Sequence, residues 1–153
     1  MSADSASRRI RGTQPRILVS MGDPSAAITD GWVMPVTRLR AARGGGDVLL
    51  SPRVRLDPTR RVLLVLAPTW TLRNDGEWRL AQAYRDALLG AEQVGWTSLA
   101  LPGWLASGGW PIEDAVRVGL AALRGTPTNV THIFVVTQSP RVLEAWAEIL
   151  ALR

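Results

Sequence analysis

From about residue 61 onward, short runs of consecutive apolar residues alternate with longer stretches in which apolar positions recur every three or four residues. Val62-Leu63-Leu64-Val65-Leu66 is an unbroken apolar run, the pattern of a strand covered on both faces. Leu80, Ala83, Tyr84, Ala87 and Leu88 then make one helical stripe. Asn74 and Glu77 stand at capping-box spacing near its start, and Gly90 is its expected stop. Residues 97–101 predict the next strand, ended by Pro102-Gly103. Pro111 suits the first turn of a second helix, with Glu113 and Asp114 at its positive end. That helix buries Ile112, Ala115, Val116, Leu120 and Leu123, and Gly125 stops it. Residues 131–137 predict a further strand. Ser139-Pro140 reads as an N-cap followed by proline at the first helical position. Leu143, Trp146, Ala147 and Leu150 give the last helix its apolar side.

The first 60 residues hold extended segments and little helix. Residues 1–14 are polar and small and are expected to be a disordered tail, leaving 15–153 as one domain. Residues 16–20 predict a strand broken by Met21-Gly22-Asp23-Pro24-Ser25. Residues 32–37 are a second apolar run, and Pro35 marks it as an edge strand or one that ends early. Residues 47–50 are a short extended piece, and no three-turn helix is expected within 38–60. Strand, helix, strand, helix, strand, helix implies a mostly parallel sheet flanked by helices, an α/β fold. Ligands in such sheets bind beyond the carboxyl ends of the strands, here near 21–25, 67–70, 102–110 and 138–140.

Composition narrows this picture. At 46% hydrophobic and 20% charged, the 153 residues read as globular. There is no cysteine, so disulfides and thiolate metal sites are excluded. The polar amino-terminal stretch is not a signal peptide, no apolar run of about 18 residues occurs, and a cytoplasmic location is expected. All 18 basic residues are arginine. Residues 1–61 carry 11 of them against 5 acids, and residues 62–153 carry 7 against 8. The positive half suits a solvated surface, a phosphorylated ligand or nucleic acid.

Few motifs carry chemistry. Ser107-Gly108-Gly109-Trp110 lies between a strand and a helix, where glycine amides can approach a phosphate; a plain flexible turn has the same spacing. Trp104 and Trp110 fit a pocket wall or the core. Gly44-Gly45-Gly46 reads as a linker or a second close-approach loop. Asp23 follows the first strand and either accepts a hydrogen bond from a ligand amino group or caps the turn behind it. His132, the one histidine, sits in a strand away from the expected binding edge, so no nucleophile–histidine arrangement can be assembled there. No acidic cluster has metal-ligand spacing, and neither a P-loop nor a dinucleotide fingerprint is present.

Several segments, in order, resemble the macro domain, the ADP-ribose-binding fold. Leu80-Ala81-Gln82-Ala83-Tyr84-Arg85-Asp86-Ala87-Leu88 is similar to the helix with the family's "YRNAL" pattern. Ser98-Leu99-Ala100-Leu101-Pro102 resembles the "SIAFPAIS" strand, and Ala106-Ser107-Gly108-Gly109-Trp110-Pro111 stands where the family has "STGIYGYP". His132-Ile133-Phe134-Val135-Val136 resembles its last strand, and 62–70 resembles "VIHTVGPVW". Gly22-Asp23 matches the start of "GDI", and Asp30-Gly31-Trp32-Val33 matches "DAIV". The resemblance covers about residues 16–151 and implies a macro-like mixed or mostly parallel sheet with flanking helices.

The departures bear on function. Met34-Pro35-Val36-Thr37 replaces "NAAN", and Leu64 replaces the histidine of "VIHTV". The "GGGGV" loop and the family's early helix are absent, with 47–52 aligning to a later strand. Pro24 replaces the isoleucine of "GDI" and removes a backbone donor. The resemblance therefore implies a non-catalytic module for ADP-ribose or a related adenine nucleotide. Asp23 would hold the adenine amino group, Ser107, Gly108 and Gly109 the diphosphate, and Trp110 would cover the pocket; no catalytic residue, metal or cofactor is implied. The alternative is a degenerate macro-like domain that meets a protein partner or a second copy of itself, with ADP-ribose hydrolysis and nucleic-acid binding behind both. Seven tryptophans suit such an interface.

Overall fold

The structure is a computed structural model that describes residues 14–39, 46–67, 76–103 and 110–152. Seven strands form one mixed sheet: β1 (Arg16–Met21), β2 (Gly31–Val36), β3 (Val48–Ser51), β4 (Val54–Asp57), β5 (Val62–Leu66), β6 (Ser98–Pro102) and β7 (His132–Thr137). Their spatial order is β1-β7-β6-β2-β5-β4-β3. The first five in that order run parallel, and β4 and β3 return antiparallel as a hairpin beyond β5. Three helices follow the later parallel strands: α1 (Gly76–Gln93), α2 (Ile112–Gly125) and α3 (Pro140–Ala151). The expected alternation is present, and 46–60 forms extended hairpin strands rather than helix.

The two faces of the sheet are treated differently. Strand side chains alternate, so Val33, Leu63, Val65, Leu99, Leu101, Ile133 and Val135 share one face. They pack with Leu80, Tyr84, Leu88, Leu123 and Trp146 of the helices into one fully buried core. The opposite face carries Leu18, Phe134, Met34 and Leu64, which keep some exposure. Residues 22–30 cross part of this face, because β1 and β2 are parallel with two strands between them, and the turn at Pro24–Ala26 contacts β7, β6 and β2 on the way. Ala100 and Val136 point to this face as well and are buried. Asp30 ends the crossing. Thr97 and Ser98 donate backbone N–H to its Oδ2 at 2.7 and 3.3 Å, and its own N–H donates to Ser98 Oγ at 2.8 Å.

Two expectations need correction. Pro35 lies in an interior strand, so the edge alternative fails, while the early-ending one holds for the pairing with β6. Trp32 N–H bonds Arg61 and the Val36 carbonyl receives Ala67 N–H, so even-numbered residues of β2 bond β5 and Pro35 faces β6. Pairing with β6 covers only Gly31 and Trp32, so the missing N–H falls where the two strands have already separated. Gly90 does not stop α1, which continues to Gln93. A Cβ at Gly90 would stand 3.1 Å from Val54 Cγ1, so glycine there permits close helix–sheet approach. The chain turns instead at Gly95, whose φ of +83° is natural only to glycine. The capping position at Asn74 lies outside the described residues.

A candidate ligand cleft at the carboxyl ends of β1, β6 and β7

The parallel strands end together at one edge, and there a cleft of about 390 Å³ opens, a size ordinary for small-molecule sites. Gly22, Asp23 and Pro24 come from the end of β1, Pro102 and Gly103 from β6, and Val136 to Ser139 from β7. Ile112 and Val142 add the first turns of α2 and α3, so two helix amino termini open on it.

Local sequence explains each wall. Gly22 leaves β1 with φ +145°, and its N–H still bonds the Thr137 carbonyl at 3.0 Å. Asp23 then caps a short 3-10 turn that Pro24 begins. Both the N–H and the hydroxyl of Ser25 donate to Asp23 Oδ1, at 2.9 and 2.8 Å. These bonds, the backbone one foremost, hold the carboxyl below its usual pKa, so it is an anion and acceptor at neutral pH. Its Oδ2 has no partner among the described residues. Asp23 thus caps its turn, and its other oxygen is uncommitted among the described residues at the cleft.

Gly103 sets the rear wall. Its carbonyl accepts the buried Trp146 Nε1–H at 2.6 Å, tying the end of β6 to α3. Ser139 Oγ accepts Val142 N–H at 3.3 Å, and Pro140 takes the first helical position, as the sequence predicted. Gln138 is exposed beside them, and its carboxamide can donate and accept. Sequence reasoning marked 138–140 as binding edge without singling this residue out; an uncommitted amide just past a parallel strand was the available signal.

Trp110, expected over the pocket, is only 4% exposed and belongs to the apolar core. Among the described residues it is not part of the cleft wall. Trp110 directly precedes Pro111, the N-cap of α2. Ser107, Gly108 and Gly109 lie outside the described residues. His132 is at the opposite end of β7, stacked on Phe134 and bonded to Thr131 Oγ1, far from the cleft. No group of metal-ligating side chains occurs among the described residues, and no helix there is long and apolar enough to cross a membrane.

Comparison with known proteins fits this geometry. No family model matches the chain. A macro domain-containing protein of Streptomyces coelicolor is 33% identical over 117 residues, covering 72% of this chain and 68% of that protein. Another, from Streptomyces griseus, is 29% identical over 123 residues, 75% and 68% of the two chains. Among solved structures, the Oceanobacillus iheyensis macrodomain with ADP aligns at TM-score 0.73 and 19% identity, covering 91% and 92%. A mutant of that macrodomain with ADPR aligns at 0.72 and 21%, covering 91% and 94%. The Trypanosoma brucei macrodomain in complex with ADP aligns at 0.65 and 20%, covering 88% and 69%. The fold is that of macro domains, and the chain belongs to the macro domain family as a divergent member.

Proposed function

We propose that the chain is a non-catalytic module that binds ADP-ribose or a related adenine nucleotide in this cleft. The observation that carries the reading is Asp23 Oδ2, an ionised acceptor with no partner among the described residues, on the wall of a 390 Å³ cleft. It would accept the exocyclic amino group of adenine. The diphosphate would extend toward Ser107, Gly108 and Gly109 and the positive end of α2. The similarly folded macrodomain structures with ADP and with ADPR support that ligand class. Catalysis is not part of the proposal. Hydrolysis needs a water held and polarised, and Met34, Val36 and Leu64 supply no group to do it.

Calorimetric titration with ADP-ribose and with ribose 5-phosphate tests this. Asp23→Ala weakens ADP-ribose and leaves ribose 5-phosphate unchanged. Gly108→Val weakens both, by roughly tenfold to a hundredfold for one or two lost charge-assisted bonds. A wild type without heat or chemical-shift change at millimolar ADP-ribose removes the proposal. The second reading, an interaction domain, is favoured by Leu18, Met21 and Leu49 being 40–60% exposed on or beside the edge strands. Sedimentation showing a stable dimer together with no nucleotide binding would support it.

A further inference from the structure

A different charged group lies on the less covered face of the sheet. Arg55 of β4 is only 8% exposed, and its Nε is sealed from solvent without an acceptor. No ion pair or hydrogen bond of the described residues engages it. A guanidinium carries a full charge and five donors, so burial without an acceptor is costly. Asp57 is two residues along on the same face; its Oδ1 accepts the N–H groups of Thr59 and Arg60 at 3.1 and 3.2 Å, and neither of its oxygens bonds Arg55. The neighbours in register are apolar. Arg55 stands opposite Leu64 on one side and Leu49 on the other, and Met34 lies beyond Leu64 in the same row. The row therefore reads apolar, apolar, cation, apolar. Leu49 is 60% exposed, so the row opens to solvent at the β3 edge.

We propose that Arg55 anchors a second site, for a small organic oxyanion with an apolar body. The carboxylate or phosphate oxygens would meet the outer Nη edge of the guanidinium in its plane and supply the counter-charge that the row lacks. The apolar portion would lie over Leu64 and Leu49. Arg55 is four strand spacings from β7, roughly 19 Å, so this site is separate from the Asp23 cleft and does not depend on the nucleotide reading.

The test titrates phenyl phosphate, benzoate and inorganic phosphate into wild type, Arg55→Met, Arg55→Lys and Asp23→Ala, followed by the arginine Nε–H resonances and by calorimetry. Wild type binds at least one of the two aromatic anions, and the better one identifies phosphate or carboxylate as the recognised group. Inorganic phosphate binds more weakly than the better aromatic anion. Arg55→Met stays folded, melts at or above the wild-type temperature because an uncompensated charge is gone, and loses about tenfold or more in affinity. Arg55→Lys, which keeps the charge without the planar fork, loses affinity too. Asp23→Ala binds these anions as wild type does. The proposal is overturned if wild type ignores all three anions at millimolar concentration, if inorganic phosphate binds as well as the better aromatic anion, or if Arg55→Met or Arg55→Lys binds undiminished. A large fall in the melting temperature of Arg55→Met would likewise overturn it, since the arginine stem would then be serving as cover for the sheet.

Discussion

Gly103→Ala puts the smallest side chain where three elements meet behind the cleft. An ideal Cβ there would stand 2.5 Å from Val142 Cγ1, 3.0 Å from Thr137 Oγ1 and 3.1 Å from Thr137 Cβ. Carbon atoms in good contact sit about 3.5–4.0 Å apart, so the Val142 contact is short by roughly 1 Å. Val142 is 4% exposed in the first turn of α3 and has one strongly preferred rotamer in a helix. Neither rotation nor retreat is free. Overpacking of this kind costs about 1–3 kcal/mol. Restricting the unfolded chain returns about 0.4–1 kcal/mol, which leaves a net loss near 1–2 kcal/mol. For a domain of this size that lowers the melting temperature by roughly 2–8 °C. Urea unfolding should show a lower midpoint at unchanged slope. Combining the change with Val142→Ala removes the clashing methyl, so the pair should be less destabilising than the sum of its parts by about 1 kcal/mol. ADP-ribose affinity should fall in the single variant, because both residues line the cleft. A Gly103→Ala protein as stable as wild type, or strict additivity with Val142→Ala, would refute the reasoning.

Asp30→Ala should cost about 1 kcal/mol by orphaning the Thr97 and Ser98 amides, read by urea unfolding. Those bonds, Thr97 first, hold the Asp30 carboxyl below its usual value, so its contribution is present above the unfolded pKa near 3.8 and is lost as pH falls through the lower folded value. An acid-unfolding series should therefore show the gap between wild type and Asp30→Asn closing below pH 3.8; a gap that widens there would contradict the sign. Asp86→Ala should destabilise by about 1–2 kcal/mol, since a buried carboxylate accepting Arg53 Nε at 2.7 Å and Gln82 Nε2 at 2.9 Å joins α1 to the β3–β4 turn; half-exposed Arg53 regains water and limits the loss. Assays for release of ADP-ribose from modified protein should show no turnover, and rapid turnover abolished by Asp23→Ala would overturn the non-catalytic reading.

The order of elements was legible in the residues because it rests on local periodicity. Five apolar residues in a row at 62–66, the stripe from Leu80 to Leu88 and the Ser139-Pro140 start of α3 each declare themselves within one element. Asp23 was legible for a similar reason, since a carboxylate just past a strand has only a turn or a ligand to serve, and it serves the turn with one oxygen. What pairs with what depends on distant chain. That β2 lies between β6 and β5, so that Pro35 is interior, follows from a strand order no local pattern encodes. Gly90 and Gly103 look like punctuation in sequence, yet one admits Val54 to a helix and the other admits Val142 to a strand end. Trp110 stood in a candidate binding loop, yet at 4% exposure it belongs to the core, which only its packing against distant chain decides. Arg55 reads in sequence as one more surface arginine. Only the register Leu64–Arg55–Leu49 puts apolar side chains opposite it on both flanking strands and leaves its Nε without a partner, because burial and pairing are properties of neighbours that the fold, not the chain, brings together.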